Sequence, residues 1–341
     1  MDQALVKVLV IGAGVAGLCC ALELANGGAS VEVIDRSAGL GGESCSWFAG
    51  GMLAPWCEGE SAEPLVVSLG ARAIDWWQAQ GVGLVQNGSL VVAQPRDQAE
   101  LTRFARRTHA HRWLDESDVA TLEPDLAGRF SRALLFPQEA HIDPRAALAT
   151  LKTTLGTMGV PIHYNRDSKD YTHRVDQVVD CRGLAARDEL ADLRGVKGEM
   201  LLIQSSELIL SRPIRLLHPR IPLYLVPRGN GLYMVGSTMI ESDDRKRITA
   251  RSMIELLQGA YALHPILAEA EVVEIGCDVR PAFADNLPRI RRRGTTVYVN
   301  GFYRHGFLLA PSIAQWTREV ILNNAHYPEV MDEHPLQRRT C

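Results

Sequence analysis

The chain has 341 residues, of which 46% are hydrophobic and 22% charged, the balance of an ordinary globular protein and not of a disordered or fibrous one. That length exceeds what a single hydrophobic core usually serves, so two domains are expected. Lys and Arg total 36 against 40 Asp and Glu, a net charge of −4, which gives no electrostatic ground for a nucleic-acid partner.

Seven cysteines, Cys19, Cys20, Cys45, Cys57, Cys181, Cys277 and Cys341, show no C-x-x-C spacing and are odd in number. This argues against a zinc site or other metal centre and against a complete disulfide framework, and for reduced thiols in a cytoplasm. The apolar stretch 5–24 is broken by three glycines, so neither a membrane span nor a targeting segment is expected.

In chain order, residues 5–11 read as a buried strand, 12–17 as a glycine-spaced turn, 18–25 as a helix and 31–34 as a second strand. That is the opening of a parallel βαβ unit. Residues 62–80 have a helical pattern, 88–93 read as a strand and 97–108 as a polar helix. Within 141–164 a turn leads to a helix starting near Pro144 and then to a return strand. A strand over 175–179 ends at Asp180, and the short apolar runs of 196–236, punctuated by Pro and Gly, predict an antiparallel sheet. Arg289, Arg291, Arg292 and Arg293 precede Gly294 and read as a solvated turn. A strand over 296–299 and a helix over 306–322 complete the chain.

Gly12, Gly14 and Gly17 (GAGVAG) stand between a strand and a helix, the context that gives a G-x-G-x-x-G pattern its meaning. The first glycine permits the tight turn, the second admits a pyrophosphate, and the third lets helix pack on strand. The helix N-terminus then faces the phosphates. Asp35, at the end of the second strand, is placed to accept from ribose hydroxyls. NAD and FAD both fit these four residues. The glycine-rich loop GLGGESCSWFAGGMLAP over 39–55 brings backbone close to a flat ligand and favours FAD.

With this loop and the fingerprint, HIDPRAAL, VKGEM, YLVPRGNGLYMVGST, DVRP and GFYRHGFLLAP follow in order along nearly the whole chain. Together they resemble glycine oxidase of the thiamine-pathway type, in the superfamily of FAD-dependent D-amino-acid oxidases and sarcosine oxidases. The resemblance implies an α/β fold: a Rossmann-like FAD-binding domain with a second, α+β substrate domain built on an antiparallel sheet. The FAD-binding domain would take 1–80, 141–195 and 280–341, and the substrate domain 81–140 and 196–279. Several members of the superfamily are homo-oligomers, so the resemblance allows a homo-oligomer; the Trp76-Trp77 pair serves a core or a contact.

The resemblance also implies the site. Arg280 would clamp the substrate carboxylate with Tyr224, and Arg304 would line the active site; a surface arginine and a core tyrosine are the plainer readings of the first two. The cofactor set is Gly12, Gly14, Ala16, Gly17, Asp35, Arg36, Ser44, Gly50, Gly51, Met52, Gly183, Gly301, Arg304, His305, Gly306, Phe307 and Leu308. Met52 reads equally as core, and His305 stands where asparagine is expected and reads as a spectator. The segment 165–174 is shorter than in related enzymes, which abbreviates the adenine side of the site, and Arg182 would sit by a cofactor phosphate. No cysteine stands at the position used for covalent flavin attachment in sarcosine-oxidase-like relatives, so FAD would be held non-covalently. The implied reaction is oxidation of glycine or another small amino acid or N-substituted glycine, by hydride transfer from the α-carbon to flavin N5, with dioxygen as final acceptor and hydrogen peroxide as product. An oxidase of secondary amines such as sarcosine or iminodiacetate, a flavin dehydrogenase with another acceptor, and a non-catalytic flavoprotein are the alternatives.

Overall fold

The computed structural model describes residues 5–171, 174–218 and 222–332. Cys341, the outer ends 1–4 and 333–341 of the expected FAD-binding ranges, and residues 172–173 and 219–221 of two stretches read above lie outside the described residues.

The chain begins with strand β1 (Lys7–Ile11), helix α1 (Val15–Asn26) and strand β2 (Ser30–Ile34), with β1 and β2 parallel. A six-stranded sheet grows around this unit in the order Arg289–Arg293, Thr296–Asn300, Gln177–Asp180, β1, β2, Ile162–His163. Only its first two strands pair antiparallel. The segment 141–164 thus returns to the first sheet as expected. Its helix, Pro144–Thr157, starts where Asp143 Oδ1 accepts from the backbone N–H groups of Arg145 (2.7 Å) and Ala146 (3.2 Å), the usual carboxylate cap with proline in the first turn.

A second, nine-stranded sheet carries the strands drawn from 89–136 and 194–282. It is antiparallel except at one place, where Ile214–Leu217 runs parallel to Ser89–Ala93. The purely antiparallel expectation is corrected there: these two strands are distant in sequence and no hairpin dictates their direction. Two long strands of this sheet, Arg194–Gln204 and Glu271–Ala282, cross the expected domain divisions at 195/196 and 279/280.

The basic run Arg289–Arg293 is also corrected, from a solvated turn to a strand. Strand alternation turns Arg291 inward, where it pairs with both Asp192 (2.7 Å) and Asp332 (2.6 Å). Trp76 and Trp77 belong to the core, 8% and 0% exposed.

The last helix, Gly306–Leu322, packs on α1 and holds Pro311 in its interior. Proline has no N–H to give to the carbonyl four residues back. That carbonyl, of Phe307, accepts instead from the Trp77 indole N–H at 2.8 Å. An orphaned buried acceptor is thereby satisfied, and the first turn of this helix is tied to the core.

Candidate active site

Both glycine-rich ends of the chain open into one cavity of about 650 Å³, well within the size of a cofactor site. Gly12 adopts φ +104°, and a Cβ there would lie 2.7 Å from the Cys181 carbonyl oxygen. A Cβ on Gly17 would lie 1.8 Å from the Gly12 carbonyl oxygen. The turn therefore requires glycine at both positions. Val15 N–H, at the start of α1, donates to Ser46 Oγ at 3.1 Å, so the small-residue loop lies directly over the helix N-terminus. Asp35 accepts from Ala13 N–H (2.6 Å), Ser37 N–H (2.7 Å) and Ser37 Oγ (2.6 Å). Its carboxylate keeps acceptor capacity toward the cavity.

Of the expected cofactor set, all but Gly17 and Gly301 line this cavity. Gly17 packs helix on strand. Gly301, at φ +82°, lies behind the wall, where a Cβ would strike the Phe283 ring at 2.2 Å. At the far end, Arg304, His305, Gly306, Phe307 and Leu308 present the start of the last helix, whose partial positive charge suits a group that gains negative charge. His305 is 5% exposed, and burial lowers its pKa to about 4, so it is a neutral imidazole. Arg182 lines the cavity but is paired with Asp180 (2.8 Å) and Asp188 (2.9 Å). A phosphate would have to compete with two carboxylates for it.

Between these ends stands a polar cluster. Arg280 Nη2 donates to Ser237 Oγ at 2.7 Å and Nη1 to the Thr238 carbonyl at 3.1 Å. Tyr224 donates its phenolic O–H to the same Ser237 Oγ at 2.9 Å. Among the described residues no carboxylate pairs with Arg280.

Sequence reasoning missed four residues here. Ser237 joins Arg280 to Tyr224. Arg228, of the VPR triplet, donates to the carbonyls of Ala49 (3.0 Å), Gly50 (2.9 Å) and Ile142 (2.9 Å); burial lowers its pKa to about 10, and it holds the loop that carries Met52. Glu58 and Arg215 are the others. Glu58 Oε2 accepts from Arg304 Nε at 3.0 Å and from Nη2, while Arg215 Nη1 reaches Oε1 at 3.3 Å. Burial works to raise the Glu58 pKa, but Arg304 foremost, then His305 and Arg215, bring it down to about 2. The sequence offered one signal, in that Glu58 closely follows the glycine-rich loop.

Of the cysteines, Cys45 and Cys181 line the cavity and Cys277 does not; Cys277 Sγ instead donates to the Lys246 carbonyl at 3.1 Å. Burial raises the Cys45 thiol to about 12. Among the described residues no group of three or more His, Cys, Asp or Glu could hold a metal ion, and no helix is long and apolar enough to cross a membrane.

A Rossmann-like unit joined to a large second sheet, with glycine cradles at both ends of one cavity, defines the FAD-binding oxidoreductase fold, and the cradles fit a dinucleotide. The chain belongs to the DAO family of FAD-dependent oxidoreductases, whose model matches residues 7–320. It is 54% identical over 333 residues to the "Putative thiamine biosynthesis oxidoreductase ThiO" of Rhizobium etli, covering 95% of this chain and 98% of that one. It is 27% identical to a glycine oxidase of Pseudomonas aeruginosa, covering 94% of this chain and 98% of that one. Two solved structures share the fold with TM-scores of 0.81: glycine oxidase from Bacillus cereus (22% identity, 94% of this chain and 96% of that one) and iminodiacetate oxidase from Chelativorans sp. (24%, 96% and 99%).

Proposed function

We propose that this protein oxidises glycine, or another small amino acid or N-substituted glycine, at its α-carbon, giving an imino acid and hydrogen peroxide. The observation that carries this reading is Arg280: a guanidinium with no carboxylate partner among the described residues, braced by Ser237 and facing the cavity into which both cofactor cradles open. FAD, held non-covalently, would supply the two-electron acceptor. Gly12, Gly14 and Asp35 would hold its adenosine and pyrophosphate end, and Gly50, Gly51, Met52 and residues 304–308 its ring end. The high pKa of Cys45, which leaves it a thiol at neutral pH, supports the absence of a covalent link.

The chain's own groups do the positioning. Arg280 offers a planar fork suited to a carboxylate. Ser237 Oγ already accepts two hydrogen bonds, from Arg280 and Tyr224, which leaves its own O–H to donate into the cavity. A carboxylate held at these groups fixes the α-carbon, and orientation then contributes much of the rate. An amine that arrives neutral needs no protein base, and Glu58, held ionised by its arginines, is too acidic to serve as one. The imino acid leaves, and dioxygen takes the electrons.

We assign the product to the supply of a glycine-derived imine for thiamine thiazole synthesis, supported by the name of the 54% identical relative. Free thiols at all six described cysteines accord with a cytoplasmic setting. The domain ranges read from the sequence are kept as a proposal, with the divisions at 195/196 and 279/280 falling inside strands. The test is peroxide formation with glycine, sarcosine, iminodiacetate and D-amino acids, in air and in nitrogen with a dye acceptor. Peroxide with glycine or sarcosine supports the reading. Turnover with dye alone would make the protein a dehydrogenase, and no turnover with any donor would make it a non-catalytic flavoprotein.

A further inference from the structure

Glu58 has no part in the reaction proposed above, yet it stands in the same cavity at the end of the short helix Pro55–Glu58. Its two oxygens are divided between two guanidinium groups: Oε2 takes Nε and Nη2 of Arg304, and Oε1 faces Nη1 of Arg215. The other end of Arg304, Nη1, lies 3.3 Å from Met239 Sδ. Met239 is two residues beyond Ser237, which Arg280 and Tyr224 share. His305 Nδ1 lies 3.7 Å from Glu58 and feels the charges of Arg304, Arg215 and Arg280 together, so the Glu58 corner borders the Arg280 clamp in the same cavity.

The charges decide what this corner does. Among the described residues Arg280 lacks a carboxylate partner, so one substrate carboxylate completes it. Arg304 and Arg215 would hold a second one by the same chemistry, being planar donors in a partly dry site. Glu58 already fills that place. A second substrate acid would have to approach a carboxylate that stays ionised, and like charges at contact distance repel strongly where water is scarce.

We propose that Glu58 is a specificity-determining residue. Its carboxylate takes the place of a second substrate acid on Arg304 and Arg215, so the site admits amino acids with one carboxylate and turns away dicarboxylic amines. This rests on the reading of Arg280 as the carboxylate clamp.

The test uses two inert ethers, methoxyacetate with one carboxylate and diglycolate with two, titrated calorimetrically into the flavin-loaded protein so that turnover plays no part. Unmodified protein is expected to bind methoxyacetate about tenfold or more tightly than diglycolate. Glu58→Gln, which keeps the shape and removes the charge, is expected to reverse that order, and Glu58→Asp to retain it. A preference for diglycolate in the unmodified protein, binding of neither ether, or an unchanged ratio in Glu58→Gln overturns the proposal. The first of these is decided without any variant, so the test stands even if Glu58→Gln does not fold. Methoxyacetate binding that survives Arg280→Ala undiminished marks the failure of the clamp reading itself, separately from the Glu58 ratio.

Discussion

Arg280 and Ser237 form a single unit: the guanidinium Nη2 lies 2.7 Å from the serine Oγ, which also accepts from Tyr224. Removing the hydroxyl loosens both partners and deletes the donor left for a substrate carboxylate. Ser237→Ala is expected to raise KM for glycine or sarcosine about tenfold, the effect of losing one charge-assisted hydrogen bond. The change in kcat should be smaller, as for an interaction made equally in ground and transition states. Steady-state kinetics check this split, and a fall in kcat at unchanged KM would contradict it.

Gly17 allows the α1 turn to sit on the Gly12 carbonyl, with 1.8 Å to any added Cβ. Gly17→Ala should therefore release FAD and cost ~2 kcal/mol or more. Gly156→Ala is the control, because nothing lies within 4 Å of its Cβ position in the helix Pro144–Thr157, and alanine there should stabilise by ~0.5–1 kcal/mol. Denaturant melts and flavin retention on gel filtration measure both.

Trp77 and Pro311 give a prediction with a built-in rescue. Trp77→Phe strands the Phe307 carbonyl that Pro311 cannot satisfy, at a cost of ~1–3 kcal/mol. Pro311→Ala restores the missing N–H within the helix. The double variant should then lose less than the sum of the single losses, and simple additivity in a double-mutant cycle would argue against this account.

Glu139 is fully buried, its Oε1 accepting from the Cys57 N–H at 2.7 Å, and burial raises its carboxyl to about 7. Between its ordinary value of 4.5 and about 7 the folded protein therefore holds the extra proton. Stability from this group is complete below the unfolded pKa and declines as pH rises through that window. Glu139→Gln keeps an acceptor for Cys57 and cannot ionise. It should be more stable than the parent at pH 8 by ~1–3 kcal/mol, with the gap closing at pH 5. Urea melts at the two pH values read the difference.

What could be read from sequence was local. The βαβ opening, the helix start near Pro144 and the start of the last helix at Gly306 each lie within a few residues of the signal that announces them. Arg280 and Tyr224 were found through a resemblance spread over the chain, not through any pattern of their own. Glu58 was missed because its partners are 157 and 246 residues away, and no periodicity marks such a pair. Ser237 and Arg228 escaped for the same reason, since a hydroxyl and a VPR triplet on strands have many uses. The inward turn of Arg291 needed the positions of Asp192 and Asp332; without them a run of arginines reads as solvated. The long helix Ala250–Leu263 was not foreseen within the range 196–279 given to the substrate domain.

The central claim is that Arg280 holds the carboxylate of an amino-acid donor beside FAD. Anaerobic mixing of the yellow protein with glycine and sarcosine, followed by flavin absorbance, tests it directly, with Arg280→Ala prepared alongside and its FAD content checked. The account predicts bleaching of the parent and loss of at least about a hundredfold in bleaching efficiency for Arg280→Ala with FAD still bound. Bleaching of the variant at the parent's rate and affinity would contradict it.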